Sequence, residues 1–312
     1  MRKPKYLSPT SVSTWDKDRC EYYRKYLCEK RIPRMAQTEP MAVGSAFDAY
    51  IKNYLAKCLG MPEATGELDL DFLLTEQVEA HNRDFGISAG LDCFNQYKTL
   101  GATAELMKEL ETASDKPFFE STREATVEGK VPLLGKPDLY FWNKAGSLVI
   151  YDWKVNGYCS ASNTSPRKGY VRLLQEGKPR KVHKMVDPFM IEGVMMDVSN
   201  TMEELDVSWA AQLAIYGWVL GGIGKPIIAG IDQLACTGGK IRVASLRNRI
   251  GEEFQDNLWA KCKEIWERIE SGRIFDTDND ATIKRLDMEA GAYVMDSGEA
   301  KEDWYNGMMR KF

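Results

Sequence analysis

Gly135-Lys136-Pro137-Asp138-Leu139-Tyr140-Phe141 and, after a short charged turn, Leu148-Val149-Ile150-Tyr151-Asp152-Trp153-Lys154 read as two neighbouring strands of one sheet. Each is an apolar run with an aspartate at its edge or end, and a lysine follows the second aspartate by two places. A carboxylate at the end of a buried strand is costly unless a partner or a metal ion meets it. Hairpin pairing brings Asp138 and Asp152 within reach of one ion. The two-residue period of a strand points Lys154 to the same side as Asp152. Two carboxylates and an ammonium converging there suit Mg²⁺ or Mn²⁺, hard cations that take oxygen ligands and keep open positions for water and phosphate. A strand-terminal aspartate beside a solvated Asp-Lys pair is the blander explanation, and it is the stronger one for either motif taken alone.

Outward from this pair, "FFESTREATVEGKVPLLGKPDLYFWNKAGSLVIYDWKV" alternates and predicts three or four antiparallel strands, with Gly129-Lys130 and Lys144-Ala145-Gly146 as turns. Upstream the period is helical. Ser8 to Ser11 supply hydroxyl caps for one helix through "STWDKDRCEYYRKYL". "MAVGSAFDAYIKNYLAKCLG" predicts a second, with Phe47, Tyr50, Ile51 and Leu55 on one stripe and Gly60 as its stop. Further helices fit "DLDFLLTEQVEAHNRDF" and "GATAELMKELETA". Downstream, "SWAAQLAIYGWVLG" is a helix closed by Gly221-Gly222, then "PIIAGIDQLAC" and "KIRVASLR" are strands, then an amphipathic helix precedes an acidic tail. The expected fold class is α/β: a central mixed sheet flanked by helices, with a helical N-terminal section. The expected organisation is a single domain over 1–312, with the helical section at 8–115, the sheet core at 117–250 and a C-terminal helix and tail at 251–312.

The 44% hydrophobic and 28% charged residues fit a globular protein and exclude a disordered or fibrous one. No apolar run reaches the length of a membrane span and no signal-peptide core follows Met1, so a cytoplasmic location without a membrane partner is expected. Seven scattered cysteines with no Cys-x-x-Cys pair argue against a disulfide framework or a zinc knuckle. The net charge of −4 announces no nucleic acid. Its distribution is more telling. From Lys154 to Lys184 the basic residues Lys154, Arg167, Lys168, Arg172, Lys178, Arg180, Lys181 and Lys184 face Glu176 alone, mostly within a stretch, 156–185, that reads as a long loop or inserted flap. Such a run is usually a solvated face. Placed directly after the second strand, it also suits a grip on a phosphate backbone, with Tyr158, Tyr170 and Phe189 available to stack on unpaired bases.

Other chemistries have less support. Gly224-Lys225 is followed by Pro226 without the preceding glycine of a phosphate loop. His81 and His183 lie in unlike contexts and offer no nucleophilic triad. Glu120 and Glu124 fall on the strand before the hairpin, where one of them could face the site, but exposed alternate positions of an edge strand are the favoured reading. Trp209, Gln212, Leu213 and Tyr216 share one helix face; packing accounts for Trp209 and Leu213 but poorly for Gln212, whose amide needs partners.

Asp138 followed by Asp152-Trp153-Lys154 gives the pattern D-(x)n-(D/E)-x-K, and Pro137 precedes the first aspartate. The chain thereby resembles the PD-(D/E)XK nuclease superfamily. It further resembles the RecB-like and Cas4-like exonuclease branch, often found in bacteriophage genomes. That branch orders a Ser-rich N-terminal helix with a cysteine and aromatic and basic residues, a Gly-x-x-x-His helix, the two acidic strands and a Gln-x-x-x-Tyr helix. The corresponding stretches here are "LSPTSVSTWDKDRCEYYRKYL", Gly44 to Asp48, Gly135 to Asp138, Asp152 to Lys154 and Gln212 to Tyr216, in that order. The resemblance implies a restriction-endonuclease-like core and a metal-dependent deoxyribonuclease, an exonuclease before an endonuclease. It implies Asp138, Asp152 and the Trp153 carbonyl as ligands of Mg²⁺ or Mn²⁺, Lys154 acting on the attacking water, and Gln212 and Tyr216 supporting the site or the DNA. Asp48 stands where the branch usually has a metal-binding histidine, so it is either an oxygen ligand or an exposed helix residue. Cys20 matches one ligand of the iron–sulfur cluster of some relatives, but Cys236 and Cys262 stand alone, so no cluster is expected. DNA is the implied partner, with a phage recombination or replication protein beside it. An inactive nucleic-acid-binding or inhibitor protein on the same scaffold is the alternative, and a hydrolase of small phosphoesters a third.

Overall fold

The computed structural model of the chain describes residues 1–30, 34–61, 67–177, 181–182, 189–191 and 193–296. They gather into two compact units, one of 36–123 with 135–255, the other of 1–35 with 124–134 and the segment from 256 onward.

The larger unit is built on a mixed seven-stranded sheet. Its strands are β1 (Phe118–Phe119), β4 (Leu139–Trp142), β5 (Leu148–Asn156), β10 (Ile227–Thr237), β11 (Lys240–Asn248), β6 (Arg172–Gln175) and β7 (Lys181–Val182), in that spatial order. β5 and β10 run parallel and the other pairs antiparallel. The central strands β5 and β10 are apolar almost throughout, as strands covered on both faces must be. A separate small hairpin joins β8 (Phe189–Ile191) to β9 (Val194–Met196).

Helix α3 (Glu39–Cys58) buries Phe47, Ile51 and Leu55 of the expected stripe in a core shared with Tyr151 and Trp153 of β5, and the fourth member, Tyr50, is half-buried against it. It packs on α5 (Arg83–Thr99) at unusually close range, because a Cβ at Gly90 would lie 2.5 Å from that of Ala46. Glycine there is a contact surface, not a breaker, which is why the length of α5 is hidden in the sequence. The predicted single helix over "DLDFLLTEQVEAHNRDF" is instead α4 (Leu70–Gln77), ended by extended Val78, and the start of α5. Helix α6 (Ala102–Leu110) follows. The short helix α7 (Met202–Leu205) leads into α8 (Val207–Gly221), which carries Gln212 and Tyr216. α8 sits tightly against the sheet: a Cβ at Gly217 would fall 2.1 Å from Ile227 Cδ1.

In the smaller unit, Ser8 and Ser11 form a capping box at α1 (Pro9–Lys17). The predicted single first helix breaks at Asp18, whose extended backbone ends α1 and whose carboxylate caps α2 (Arg19–Tyr22) through the amides of Cys20 and Glu21. The unit also contains most of the β2 (Arg123–Val127) and β3 (Val131–Gly135) hairpin, most of helix α9 (Glu252–Ser271) and helix α10 (Asn279–Asp296).

The α/β class, the central mixed sheet with its helices and the helical N-terminal section are as expected. Two details differ. The predicted run of antiparallel strands is not one sheet: β2 and β3 form a two-stranded sheet, with a bridge from Leu133 of β3 to Leu7, and β4 takes β1 as its neighbour. Local alternation carries no information about which strand pairs with which. The predicted loop 156–185 also contributes β6 and β7 to the sheet. Lys178, Arg180 and Lys184 lie outside the described residues.

Candidate active site

The register of β4 on β5 pairs Leu139 with Tyr151 and Tyr140 with Ile150. Continued by one residue, it sets Asp138 opposite Asp152. Cross-strand neighbours have Cβ atoms about 5 Å apart, so the two carboxylates repel. Burial, and then the Asp138 charge, push the Asp152 carboxyl up to about 7 despite the adjacent Lys154. The backbone N–H of Trp153 donates to Asp138 Oδ2 at 3.1 Å and ties the two strands' acids together.

α8 clamps this pair. Gln212 Nε2 donates to Asp152 Oδ1 at 3.0 Å and to the Tyr216 hydroxyl at 2.9 Å, while Gln212 Oε1 accepts from Lys154 Nζ at 3.0 Å. Every side-chain group of the glutamine that packing failed to explain is thus oriented on the acid–lysine pair. The Lys154 ammonium contacts Asp152 Oδ2 as an ion pair. Burial alone would lower the Lys154 pKa; Asp152 and Asp138 outweigh it and raise it, so the side chain stays cationic. Burial and the Asp152 charge likewise raise the Tyr216 phenol, which stays protonated.

Asp138 also belongs to a second group. One carboxylate oxygen each from Asp48, Glu120 and Asp138 lie within 4.8 Å of one another. The Lys52 ammonium, fully buried, sits among them: it bonds Asp48, lies 2.5 Å from Glu120 Oε1 and 3.4 Å from Asp138 Oδ1. Burial would strip its proton, but the three carboxylates raise its pKa instead. Burial pushes the Asp48 carboxyl up, with Lys52 opposing and the neighbouring acids adding to the rise. Glu120 moves the other way, to about 2: burial would raise it, but Lys52 and Lys136 prevail.

Of the residues expected from sequence, Asp48, Asp138, Asp152, Lys154, Gln212 and Tyr216 are brought together by these contacts. Asp48 is half-buried and in the cluster, not an exposed helix residue. Trp153 touches the site through its N–H, and its ring belongs to the core. Two participants were missed, and a third, Glu120, was weighed but not favoured. Lys52 follows Asp48 by one helical turn, an i,i+4 pair readable in the sequence. Gln77 Nε2 reaches Glu120 Oε1 at 3.2 Å across a long separation that leaves no local signal. Glu120, expected at an exposed edge position, takes φ +51° and turns its carboxylate inward, a left-handed geometry that alternation cannot foresee.

The basic segment is less free than expected. Arg172 is buried and ion-paired with Glu105 and Glu109, and Arg167 pairs with Asp206 at 2.8 Å. Tyr158 packs against the core with its hydroxyl on Asp92, which removes it as an exposed base-stacking residue.

No family model matches the chain, and no curated protein does. Among solved structures it resembles a provisionally named exonuclease from Eubacterium rectale, with 15% identity over 86% of this chain and 82% of that one and a TM-score of 0.41. It also resembles the protein SSO0001, with 14% identity over 89% of this chain and 95% of that one and a TM-score of 0.24. Overlap this low bears on neither the fold nor the chemistry of this chain. No helix among the described residues is long and apolar enough to cross a membrane.

Proposed function

We propose that the chain is a metal-dependent deoxyribonuclease that hydrolyses phosphodiester bonds, working from strand ends, in DNA recombination, repair or phage DNA processing. The observation that carries this reading is the apposition of Asp138 and Asp152 across β4 and β5, with Lys154 held over Asp152 by Gln212. A divalent cation suits the residues present: the donors are all carboxylate oxygens close enough to share one ion, and the buried Asp48 Oδ1 has no hydrogen-bond partner among the described residues. Asp48, Glu120, Asp138 and Asp152 would hold it. Such an ion supplies Lewis acidity toward a phosphate oxygen and makes water a better nucleophile at neutral pH.

The chain's own residues divide the remaining work. Lys154, kept cationic by its acids, donates to and neutralises a phosphate oxygen rather than taking a proton. Asp152, ion-paired with Lys154 and accepting from Gln212, holds the ammonium in place and faces Asp138 across the strands. Gln212 and Tyr216 fix the rotamers of both.

One observation favours a second reading, a catalytically inactive nucleic-acid-binding or inhibitor protein: Lys52 already places a positive charge among Asp48, Glu120 and Asp138. Incubation with end-labelled linear and circular DNA, with and without Mg²⁺ or Mn²⁺, separates the readings. Metal-dependent loss of label from linear DNA only supports the exonuclease. Cutting of circles indicates an endonuclease, and intact DNA with measurable binding indicates the inactive scaffold.

A further inference from the structure

Along β4 the residues alternate between faces. Leu139 and Phe141 enter the core, so Asp138, Tyr140 and Trp142 share the other face. Starting from Asp138, each step along this row is about 7 Å. β1 sets Phe118 directly opposite Tyr140. The result is an aromatic group that begins at the candidate acids and runs away from them. Phe118 stacks on Tyr140 with centroids 4.9 Å apart at 10°, and Trp142 stands edge-on to both, at 6.4 and 5.7 Å. Tyr140 is buried, whereas Phe118 is 39% and Trp142 36% exposed. Arg123 lies over the Phe118 ring at 5.8 Å and donates from Nε to the Tyr140 hydroxyl at 3.2 Å, which ties the two rings together.

Two large aromatic side chains that remain partly exposed, one of them braced by a guanidinium, have one ligand chemistry that fits their place beside a phosphodiester-cleaving site: unpaired bases, which stack on aromatic rings while cations follow the backbone. Lys136, half-exposed and paired with Glu120, adds a second cation near the row. A second copy of this chain is the less suitable occupant, because the edge strand β1 has only two residues and offers little ladder to extend. We propose that Phe118 and Trp142, supported by Tyr140 and Arg123, form a stacking platform for the unpaired bases of a single strand leading into the candidate active site. This rests on the nuclease reading and narrows its substrate to strands with single-stranded ends.

The test is fluorescence anisotropy in EDTA with a short fluorescein-labelled oligothymidylate and a blunt duplex, on the full chain. Wild type is expected to prefer the single strand. Trp142→Ala and Phe118→Ala are each expected to weaken single-strand binding about tenfold with duplex binding unchanged, and Trp142→Phe and Phe118→Tyr to restore most of it. Trp142→Ala keeps the inference falsifiable if Phe118→Ala disturbs Glu120. Wild-type affinity in both alanine variants would overturn the platform, as would equal weakening on both probes, no single-strand preference in wild type, or a shift from dimer to monomer on gel filtration. The nuclease reading is judged separately, by cleavage with Mg²⁺: active wild type with unaltered binding in the variants sinks only the platform.

Discussion

The two faces of β5 bury charge in opposite ways. On one, Tyr151 and Trp153 look toward a network in which Arg247 reaches Glu109 Oε2 at 2.9 Å and Asp232 Oδ1 at 2.8 Å, while Arg172 takes the other oxygen of Glu109 and Tyr97 donates to Asp232. On the other, Asp152 and Lys154 meet Asp138 and Gln212. In the first network each buried carboxylate faces an arginine. Burial would raise Asp232, but Arg247 and Tyr97 hold it below its ordinary range. In the second a carboxylate faces another carboxylate, and Asp152 is pushed up to about 7. The same strand, at adjacent positions, thus carries one charge set balanced for stability and one left short of positive charge. An imbalance of that kind persists where a further cation or a phosphate is to be met.

The largest expected effect breaks the balanced side. Arg247→Met strands Asp232 and Glu109 in the core and is expected to cost about 3 to 5 kcal/mol in urea unfolding; a loss under about 1 kcal/mol would remove the contrast. Next comes pH. Asp152 lies above its ordinary value, so its contribution favours the folded state below the usual carboxylate range and is lost as pH rises toward about 7. Asp232 lies below its ordinary value, so its contribution is present above that range and is lost on acidification. Metal-free wild type should therefore lose stability between pH 4 and about 7 relative to Asp152→Asn, and parallel melting curves for the two would contradict the assignment. At fixed pH 8, Asp152→Asn escapes the cost of the buried, ionised carboxylate and should be no less stable than metal-free wild type while removing cleavage altogether, read by unfolding and by release of end label. The smallest effect is at the edge of the clamp. Tyr216→Phe loses one hydrogen bond, worth about 1 kcal/mol, and should slow cleavage only modestly; complete inactivity would give the phenol a direct role.

Much of this was legible in sequence because it is local. Asp138, Asp152 and Lys154 follow from strand alternation, helical spacing marks Gln212 as an amide in need of partners, and the places of Gln212 and Tyr216 in the site were implied by the resemblance to the exonuclease branch. What escaped depends on long-range placement. Glu120 joins the site through a single left-handed residue, and Gln77 comes from a helix that packs there only in three dimensions. Arg172 read as part of a basic flap because its counter-ion Glu109 lies far away in sequence. The stretch with Gly86 and Gly90 receives no element in the sequence reading, because the role of these glycines is close contact with α3. Asp48 and Lys52 mark the boundary between the two cases: the i,i+4 pair was readable, but its meaning depends on Glu120 and Asp138 arriving from elsewhere.

The most direct measurement is binding of Mn²⁺ by electron paramagnetic resonance, comparing wild type with Asp138→Asn, whose residue joins both carboxylate groups. The account predicts saturable binding in wild type, displaced by Mg²⁺, and its loss in the variant with folding retained. Equal Mn²⁺ binding by both proteins, or none by wild type, would contradict it.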